Sequence, residues 1–343
     1  MVWKIQELPQ LKGYTVESAE PGKYYLSRRA RIFSSETLTP PFKFVSEIDA
    51  PSWKKLASNF RLAQRLLRFM VTNVVDLDNE IFVTFDKTVG VIKDGKFLAL
   101  DGLDRPCRVL RFGCAVDQNG DVFFGEYLAN AEKGQMRIYR YKAGSKAVEV
   151  AYTFPAGAIR HVHGIYFDEF TNSLFCLTGD ADSECRILRS FDGFQSVETV
   201  GEGDESWRAV SALFDAQNFY YGTDAEYKSN ELFSVDRSDL ARVTIAKVNG
   251  TVFYSKRLGS DLFFATTAEN APSQDENVAS LWHVDEARKC DKLISFPKDL
   301  WHPALFMFGT IHFPYKNAFT DQLFFSLVGV KGDNRTFCIR KQG

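Results

Sequence analysis

Two histidines stand beside an arginine in the segment Arg160-His161-Val162-His163. Side chains alternate between the two faces of a β-strand, so a strand here places both imidazoles on one face. Such a pair can bind a metal ion or share proton-transfer work. No cofactor has a motif of its own in the chain, and a divalent metal ion on His161 and His163 is the one candidate. The alternative is that each ring is a core residue bonded to a backbone carbonyl.

Acidic, aromatic and basic residues in neighbouring segments complete a candidate site. The catalytic candidates are Glu126, Asp180, Asp224, His161, His163 and Tyr127. The substrate-binding candidates are Arg68, Arg111, Arg160, Arg208, Trp207 and Tyr227. Guanidinium groups bind carboxylates and phosphates through two parallel hydrogen bonds, so an acidic ligand is favoured.

The four arginines of this set each begin a repeated segment. Each segment is an apolar run closed by an aspartate, and the four are residues 68–76, 111–117, 160–168 and 208–215. A second apolar run follows each segment and ends in an acidic residue, namely Asp86, Glu126, Asp180 and Asp224. The spacing of 43 to 49 residues is the period of a four-stranded propeller blade.

Alternation of strand direction within a blade explains why these residues would meet. The loop that enters the first strand and the loop that leaves the second open on the same face. The four arginines and four acids are therefore predicted to surround one mouth of the central channel, where loops on a rigid scaffold carry binding groups. The alternative is a set of salt bridges between blades that only fix the register of the strands.

The predicted fold is all-β, a six-bladed β-propeller, or a seven-bladed one if the N-terminal strands form most of a blade. The whole chain, 1–343, is predicted to be one domain. Residues 1–50 contain strands at 24–28, 31–35 and 42–48 that would close the ring, after an irregular stretch to about residue 22. One helix follows at 51–69, and blades occupy 70–343.

The predicted helix is amphipathic and carries only basic charges. Its apolar stripe contains Trp53, Leu56, Phe60, Ala63, Leu66 and Leu67, and its cations are Lys54, Lys55, Arg61, Arg65 and Arg68. A helix of this kind can bind an anionic membrane surface or a protein partner. The alternative is that it packs across the propeller.

Composition excludes several classes of function. A net charge of −2 gives no reason to expect nucleic acid as a partner. The N-terminus lacks the pattern of a secretory signal, and the six cysteines are scattered without a CxxC pair. A cytoplasmic location is therefore expected. Neither a phosphate-binding glycine loop, a nucleophilic serine elbow nor a dinucleotide fingerprint occurs.

A turn in the third blade resembles the Asp-box of sialidase-like (BNR-repeat) propellers. In the segment 189–197, Ser190, Asp192 and Ser196 match the Ser-x-Asp-x-Gly-x-Thr-Trp pattern, while Phe194 and Val197 depart from it. The resemblance implies a propeller with a glycan-directed site near its axis. It transfers no catalytic residue, because no nucleophile pair of that family is matched.

Three functions fit this pattern. A glycosidase would use two of the candidate carboxylates as acid and as base or nucleophile, with arginines holding an acidic sugar. A polysaccharide lyase would neutralise a uronate carboxylate with arginine or metal and remove the adjacent proton with histidine or tyrosine. A propeller without activity would bind a glycan, a sugar conjugate or a protein.

Overall fold

A computed structural model describes residues 2–274 and 276–342 of the chain. It is an all-β structure of seven sheets, the blades of a seven-bladed β-propeller. The first five strands are β1 (Val2–Glu7), β2 (Thr15–Glu20), β3 (Lys23–Arg28), β4 (Arg31–Ser35) and β5 (Lys43–Glu47). The next sheet contains β6 (Val71–Asp76), β7 (Ile81–Phe85), β8 (Thr88–Lys93) and β9 (Lys96–Ala99).

Three further sheets each consist of four consecutive strands. They are β10 (Cys114–Val116), β11 (Val122–Gly125), β12 (Met136–Tyr141) and β13 (Glu149–Phe154), then β14 (Val162–Asp168), β15 (Ser173–Thr178), β16 (Arg186–Ser190) and β17 (Glu198–Glu202), then β18 (Ala209–Phe214), β19 (Asn218–Thr223), β20 (Glu231–Asp236) and β21 (Arg242–Lys247). Neighbouring strands in them are antiparallel.

The remaining strands complete the last sheets. A sixth sheet holds β22 (Val252–Leu258), β23 (Asp261–Thr266), β24 (Val278–Val284) and β25 (Cys290–Pro297). The C-terminal strands are β26 (Thr310–His312), β27 (Lys316–Asn317), β28 (Gln322–Val328) and β29 (Thr336–Gln342). The short β27 pairs in parallel with β2.

The seven blades correct the preferred count of six and confirm the predicted alternative, in which the N-terminal strands form most of a blade. The stretch predicted to be irregular contains β1 and β2. Strand β1 pairs with β29 in the C-terminal sheet, whereas β2 to β5 form a blade of their own. Every second side chain of β1 is exposed, because β1 is the edge strand of its sheet. Its apolar periodicity in the sequence is therefore weak.

The single helix predicted at 51–69 is also corrected, because two shorter helices occupy this segment. Helix α1 spans Ser52–Ala57 and α2 spans Arg61–Leu66. Phe60 lies between them with an extended backbone, and the Ser58 hydroxyl donates to the Lys55 carbonyl. A serine that bonds to the backbone in this way competes with continued helix formation.

A third short helix, α3 (Pro303–Phe306), lies near the C-terminus, and single 3₁₀ turns occur at Pro9–Leu11, Asp182–Glu184 and Glu205–Trp207. Within residues 2–274 and 276–342, no helix has the length and apolar character needed to cross a bilayer.

Contacts divide the chain into two compact units. Unit 1 contains the residues up to Ala99, Lys256–Asn270 and those from Glu276 onward, and unit 2 contains Leu100–Ser255 and the short segment that begins at Ala271. In unit 2, strand β15 is buried along its whole length. Its side chains alternate between two cores, with Leu174 and Cys176 in one and Phe175 and Leu177 in the other. Burial on both faces explains why this strand is a continuous apolar run.

The turn between β16 and β17 has the hydrogen bonds of a tight polar turn. The Asp192 carboxylate accepts from the Ser190 hydroxyl at 2.9 Å and from the Ser196 amide and hydroxyl at 2.9 and 2.7 Å. The Phe194 amide donates to the Ser190 hydroxyl at 2.8 Å. The three residues that match the Asp-box pattern therefore hold this turn together.

Candidate functional site

The candidate site of unit 2 begins at β14, where the two histidines lie at the entry of the strand. The strand register shifts between Val162 and Gly164, so His163 is the extra residue of a bulge. Bulges re-aim side chains and are frequent beside active sites. The two imidazole rings nevertheless lie together, with centroids 5.2 Å apart, as the spacing of two residues predicted.

Backbone carbonyls determine which nitrogen of each ring carries its proton. His161 Nδ1 lies 3.3 Å from the Leu128 carbonyl oxygen, and His163 Nδ1 lies 2.9 Å from that of Ala209. A carbonyl oxygen can only accept, so Nδ1 is the donor in both rings. In a neutral ring, Nε2 then has a free lone pair.

Those Nε2 atoms face the carboxylate of Asp180, which follows the end of β15. His161 Nε2 is 3.5 Å from Asp180 Oδ2, and His163 Nε2 is 3.6 Å from Oδ1. Asp180 has a positive φ of 99°, a strained conformation that is found at functional sites. The structure thus brings His161, His163 and Asp180 together, and all three were predicted candidates.

Two arginines flank this carboxylate. Arg160 NH1 lies 3.1 Å from Asp180 Oδ2, and Arg208 NH2 lies 3.3 Å from Oδ1. Arg208 also contacts Asp224, with Nε 3.0 Å from Oδ2. The Arg208 side chain is 14% exposed and that of Arg160 is 44% exposed, so Arg160 is the cation that faces solvent.

The charges of the cluster follow from burial and from these neighbours. Burial by itself would raise the pKa of Asp180, but contacts with His161 and His163, in the state where Nε2 carries a proton, outweigh it and hold the pKa below its usual range. The adjacent guanidinium groups act in the same direction, so Asp180 is an anion. Burial lowers the pKa of His163, which keeps this ring neutral near pH 7.

A metal ion fits this set of donors. One ligand atom from each of His161, His163 and Asp180 lies within 4.8 Å of the others. Nitrogen and oxygen ligands bound at about 2.1 Å to a tetrahedral ion are about 3.4 Å apart, close to the two His–Asp distances. Metal-binding histidines commonly donate their second nitrogen to a carbonyl, as both rings do here.

Glu126, by contrast, is enclosed by its own blade. Its side chain has no exposed surface. Arg105 Nε and NH2 donate to its two oxygens at 3.0 and 2.8 Å, and the Arg137 amide donates at 2.9 Å. A carboxylate satisfied in this way has a structural role within the blade.

The other candidates of unit 2 lie at different distances from the cluster. The Tyr127 ring packs on His161 with a centroid separation of 4.2 Å, so this residue lies beside the cluster. Trp207 stacks on Tyr221 at 5.9 Å and carries the Arg242 guanidinium over its ring, as a packing residue does. Tyr227 is 73% exposed on a loop, and Arg111 is buried beside Phe112.

Arg68 and Asp86 belong to unit 1. Asp86 forms an ion pair with Lys54 at 2.7 Å, not with Arg68. Arg68 is exposed. The prediction that all eight arginines and acids surround one mouth therefore stays a prediction.

Two supporting residues lie outside the predicted catalytic and substrate-binding candidates. Glu184 is buried and accepts from the Arg160 amide at 2.9 Å while pairing with Lys133. Arg105 neutralises Glu126 from a loop before the repeat segment. Glu184 lies four residues after Asp180, and its position in an acidic loop was the one signal that could have indicated it.

Comparison with known proteins gives a fold and no family. No family model matches the chain, and no curated protein matches it in sequence. Among solved structures, it is similar to an oligogalacturonate lyase in complex with manganese, with 9% identity, a TM-score of 0.65, and coverage of 99% of this chain and 93% of the other.

Two further structures have comparable likeness. The WD40 β-propeller domain of Doa1 is 12% identical with a TM-score of 0.58, covering 99% of this chain and 97% of that one. The extracellular domain of a protein described as a one component system from B. thetaiotaomicron is 12% identical with a TM-score of 0.60. That match covers 99% of this chain but 40% of the longer domain. These likenesses show a β-propeller, without features specific to sialidases.

Proposed function

We propose that His161, His163 and Asp180 hold a divalent metal ion and that the site binds an acidic sugar. One observation carries this proposal: two imidazole lone pairs and a carboxylate face one another at 3.5 and 3.6 Å. Lone pairs repel at close range unless a cation or a proton lies between them. Burial lowers the pKa of His163 and disfavours the proton, which supports the metal.

The charge of the sugar is inferred from Arg160. Its guanidinium is the exposed cation of the cluster, and its amide is anchored by the buried Glu184. A half-exposed guanidinium beside a metal suits the carboxylate of a uronate. Similarity in fold to a lyase that acts on oligogalacturonate and was solved with manganese agrees with this ligand class.

We further propose a lyase-type elimination at this site. A bound divalent ion would act as a Lewis acid on the uronate carboxylate, which acidifies the adjacent C–H bond. Tyr127, packed on His161, is placed to take that proton as the base, acting as the phenolate that is re-protonated to the phenol in this step. The electrons of the C–H bond form a carbon–carbon double bond as the neighbouring C–O bond breaks, and the leaving oxygen takes up a proton from water.

Hydrolysis by two carboxylates is less well supported. It requires one candidate acid to hold a proton until it is given to the leaving group. Glu126 is paired with Arg105, Asp224 with Arg208, and Asp180 with both Arg160 and Arg208. These guanidinium groups occupy carboxylate oxygens that a general acid would need for its contact with the leaving group.

Titration calorimetry with Mn²⁺ and Zn²⁺ on the purified chain, treated with chelator, tests the metal site. We expect one ion per chain and at least about tenfold weaker binding in His163→Ala. Loss of a residue that only supports a metal ligand typically lowers the affinity tenfold or more, and His163 would be a ligand itself. His302→Ala is the matched control, since His302 is exposed and caps α3 without a side-chain hydrogen bond. Wild-type protein that binds neither ion would refute the metal site.

Turnover is tested separately with uronate oligosaccharides. The new double bond absorbs ultraviolet light, so a lyase product is distinguished from hydrolysis, which yields reducing ends alone. We expect this absorbance to rise with the metal-loaded protein and to be lost in Tyr127→Phe. Metal binding with uronate affinity but without product would instead identify a binding propeller.

A further inference from the structure

The short helices of unit 1 have inverted polarity. The buried residues of α2 are Gln64 and Arg65, whereas α1 and α3 bury none of their residues. Large apolar side chains point outward instead. Six of them, on or next to these three helices, have exposures between 49% and 98%. We name this set the apolar cap, and its members are Trp53, Leu56, Phe60, Leu66, Leu300 and Leu305. A helix normally turns its apolar side to the core.

Buried charges hold this inverted arrangement in place. Arg65 is 1% exposed, pairs with Asp299, and donates from Nε to the Phe306 carbonyl of α3 at 2.8 Å. Arg61 forms a two-fold ion pair with Asp333 at 2.8 and 2.9 Å. The helices are thus attached through their polar sides, and the outward direction of the apolar cap is built into the structure.

The charges around the cap indicate the kind of surface that covers it. Residues 51–69 include five cations and no acid. The acids that reach this segment are each paired with one of its cations: Asp86 with Lys54, Glu47 and Asp49 with Lys55, Asp333 with Arg61, and Asp299 with Arg65. Arg68 adds an exposed cation next to α2. Apolar side chains rimmed by basic residues match the interior and the anionic headgroups of a bilayer surface.

The dimensions of the helices also favour a lipid surface over a protein groove. A helix that binds in a groove uses anchors at i, i+3, i+4 and i+7. Helices α1 and α2 have six residues each and α3 has four, so none can supply this series. Tryptophan is enriched at bilayer interfaces, and both Trp53 and Trp301 are exposed here.

We infer that the apolar cap inserts into the interfacial layer of an anionic membrane. This attachment is independent of the metal site proposed above, which lies in unit 2. The apolar residues would enter the headgroup and upper acyl region, while the exposed Arg68 lies among the lipid phosphates. The chain would bind as a peripheral protein without crossing the bilayer.

Flotation with vesicles tests the inference. We expect the wild-type chain to float with phosphatidylcholine vesicles that contain phosphatidylglycerol, and much less with phosphatidylcholine alone. The double variant Leu300→Ser with Leu305→Ser is expected to bind at least about tenfold more weakly, because it removes two large inserted side chains. Val150→Ser with Val243→Ser is the matched control, since both valines are exposed on outer strands of unit 2.

Two outcomes would overturn the inference. Wild-type protein that stays with neither vesicle preparation would exclude membrane attachment through this cap. Light scattering provides the second: a dimer mass in solution that is lost in the Leu300→Ser and Leu305→Ser variant would assign the cap to a second copy of the chain. Circular dichroism of each variant confirms that the substitutions leave the fold intact.

Discussion

Gly179 permits the close packing of the site in unit 2. A Cβ atom at this position would lie 2.7 Å from Arg208 Cγ and 2.7 Å from His163 Cε1. Such distances are shorter than real contacts allow, so either the arginine stem or the imidazole must move. Glycine therefore lets the loop before Asp180 approach both groups that surround the carboxylate.

We predict that Gly179→Ala weakens metal binding at least about tenfold while the fold is retained. Overpacking of this kind costs about 1–3 kcal/mol. Here it would displace His163, a proposed metal ligand, or Arg208, which flanks Asp180. Calorimetric titration with Mn²⁺ measures the effect, and the thermal midpoint reports the fold.

Gly134→Ala is the matched control in the same unit. Its added Cβ would lie 3.5 Å from Asn130 Oδ1, an ordinary contact. Equal affinities of the two variants would contradict the role assigned to Gly179.

At the scale of elements, the aspartates that close the repeated segments connect strands. Asp168 ends β14, is fully buried, and receives both arms of Arg237, which follows β20. Arg237 also lies over the Phe170 and Phe214 rings. Asp215 accepts from the Tyr220 hydroxyl at 2.6 Å and from two backbone amides. Asp168 and Asp215 therefore have structural roles.

We predict that Asp168→Asn lowers the free energy of unfolding by about 3–5 kcal/mol. The substitution leaves the buried Arg237 charge without its anion, and breaking a buried pair from one side is costly. Denaturant titration of the purified variant measures the change.

Glu149→Gln is the control, because the Lys142–Glu149 pair is exposed on both sides. An exposed pair of this kind contributes little to stability, because water screens the two charges. A loss at Asp168 no larger than that of the control would show that the buried pair does not stabilise the blade.

At the scale of the whole molecule, buried thiols contribute to the dependence of stability on pH in the alkaline range. Burial raises the pKa of Cys107 and Cys185 from about 9 to about 12, and raises those of Cys114 and Cys176 as well. In the unfolded chain these thiols ionise near their ordinary pKa. The unfolded state therefore binds fewer protons than the folded state above pH 9.

We predict that the free energy of unfolding is constant with respect to these thiols below pH 9 and falls above it. Each buried thiol contributes a slope of about 1.4 kcal/mol per pH unit until its folded pKa is reached. Burial lowers the pKa of Lys256 from 10.5 to about 8. Between these two pH values the unfolded chain binds one proton more at this lysine, so the lysine raises stability with increasing pH and opposes the effect of the thiols.

Denaturant titrations between pH 8 and 11 measure the slope, and Cys176→Ala isolates one thiol. We expect the variant to have a shallower pH dependence, by the contribution of a single proton. An unchanged slope in Cys176→Ala would show that thiol ionisation is not its source.

Much of the fold could be read from local pattern. Alternating or continuous apolar runs at a period of 43 to 49 residues indicated four-stranded blades, because each blade repeats the same burial. Strand β1 was missed because half of its side chains are exposed and its partner, β29, lies at the other end of the chain. The break between α1 and α2 depends on one extended residue, Phe60, within a continuous helical periodicity.

The sequence alone determined which residues were chemically able to form a site, since Arg160, His161 and His163 are adjacent in it. Tertiary structure decided which acids joined them. Asp180 faces both imidazoles, whereas Glu126, its equivalent in the repeat, is enclosed by Arg105 from a loop outside the pattern. The physical reason is that a repeat specifies backbone position, but the charge and access of a carboxylate depend on neighbours that are distant in sequence.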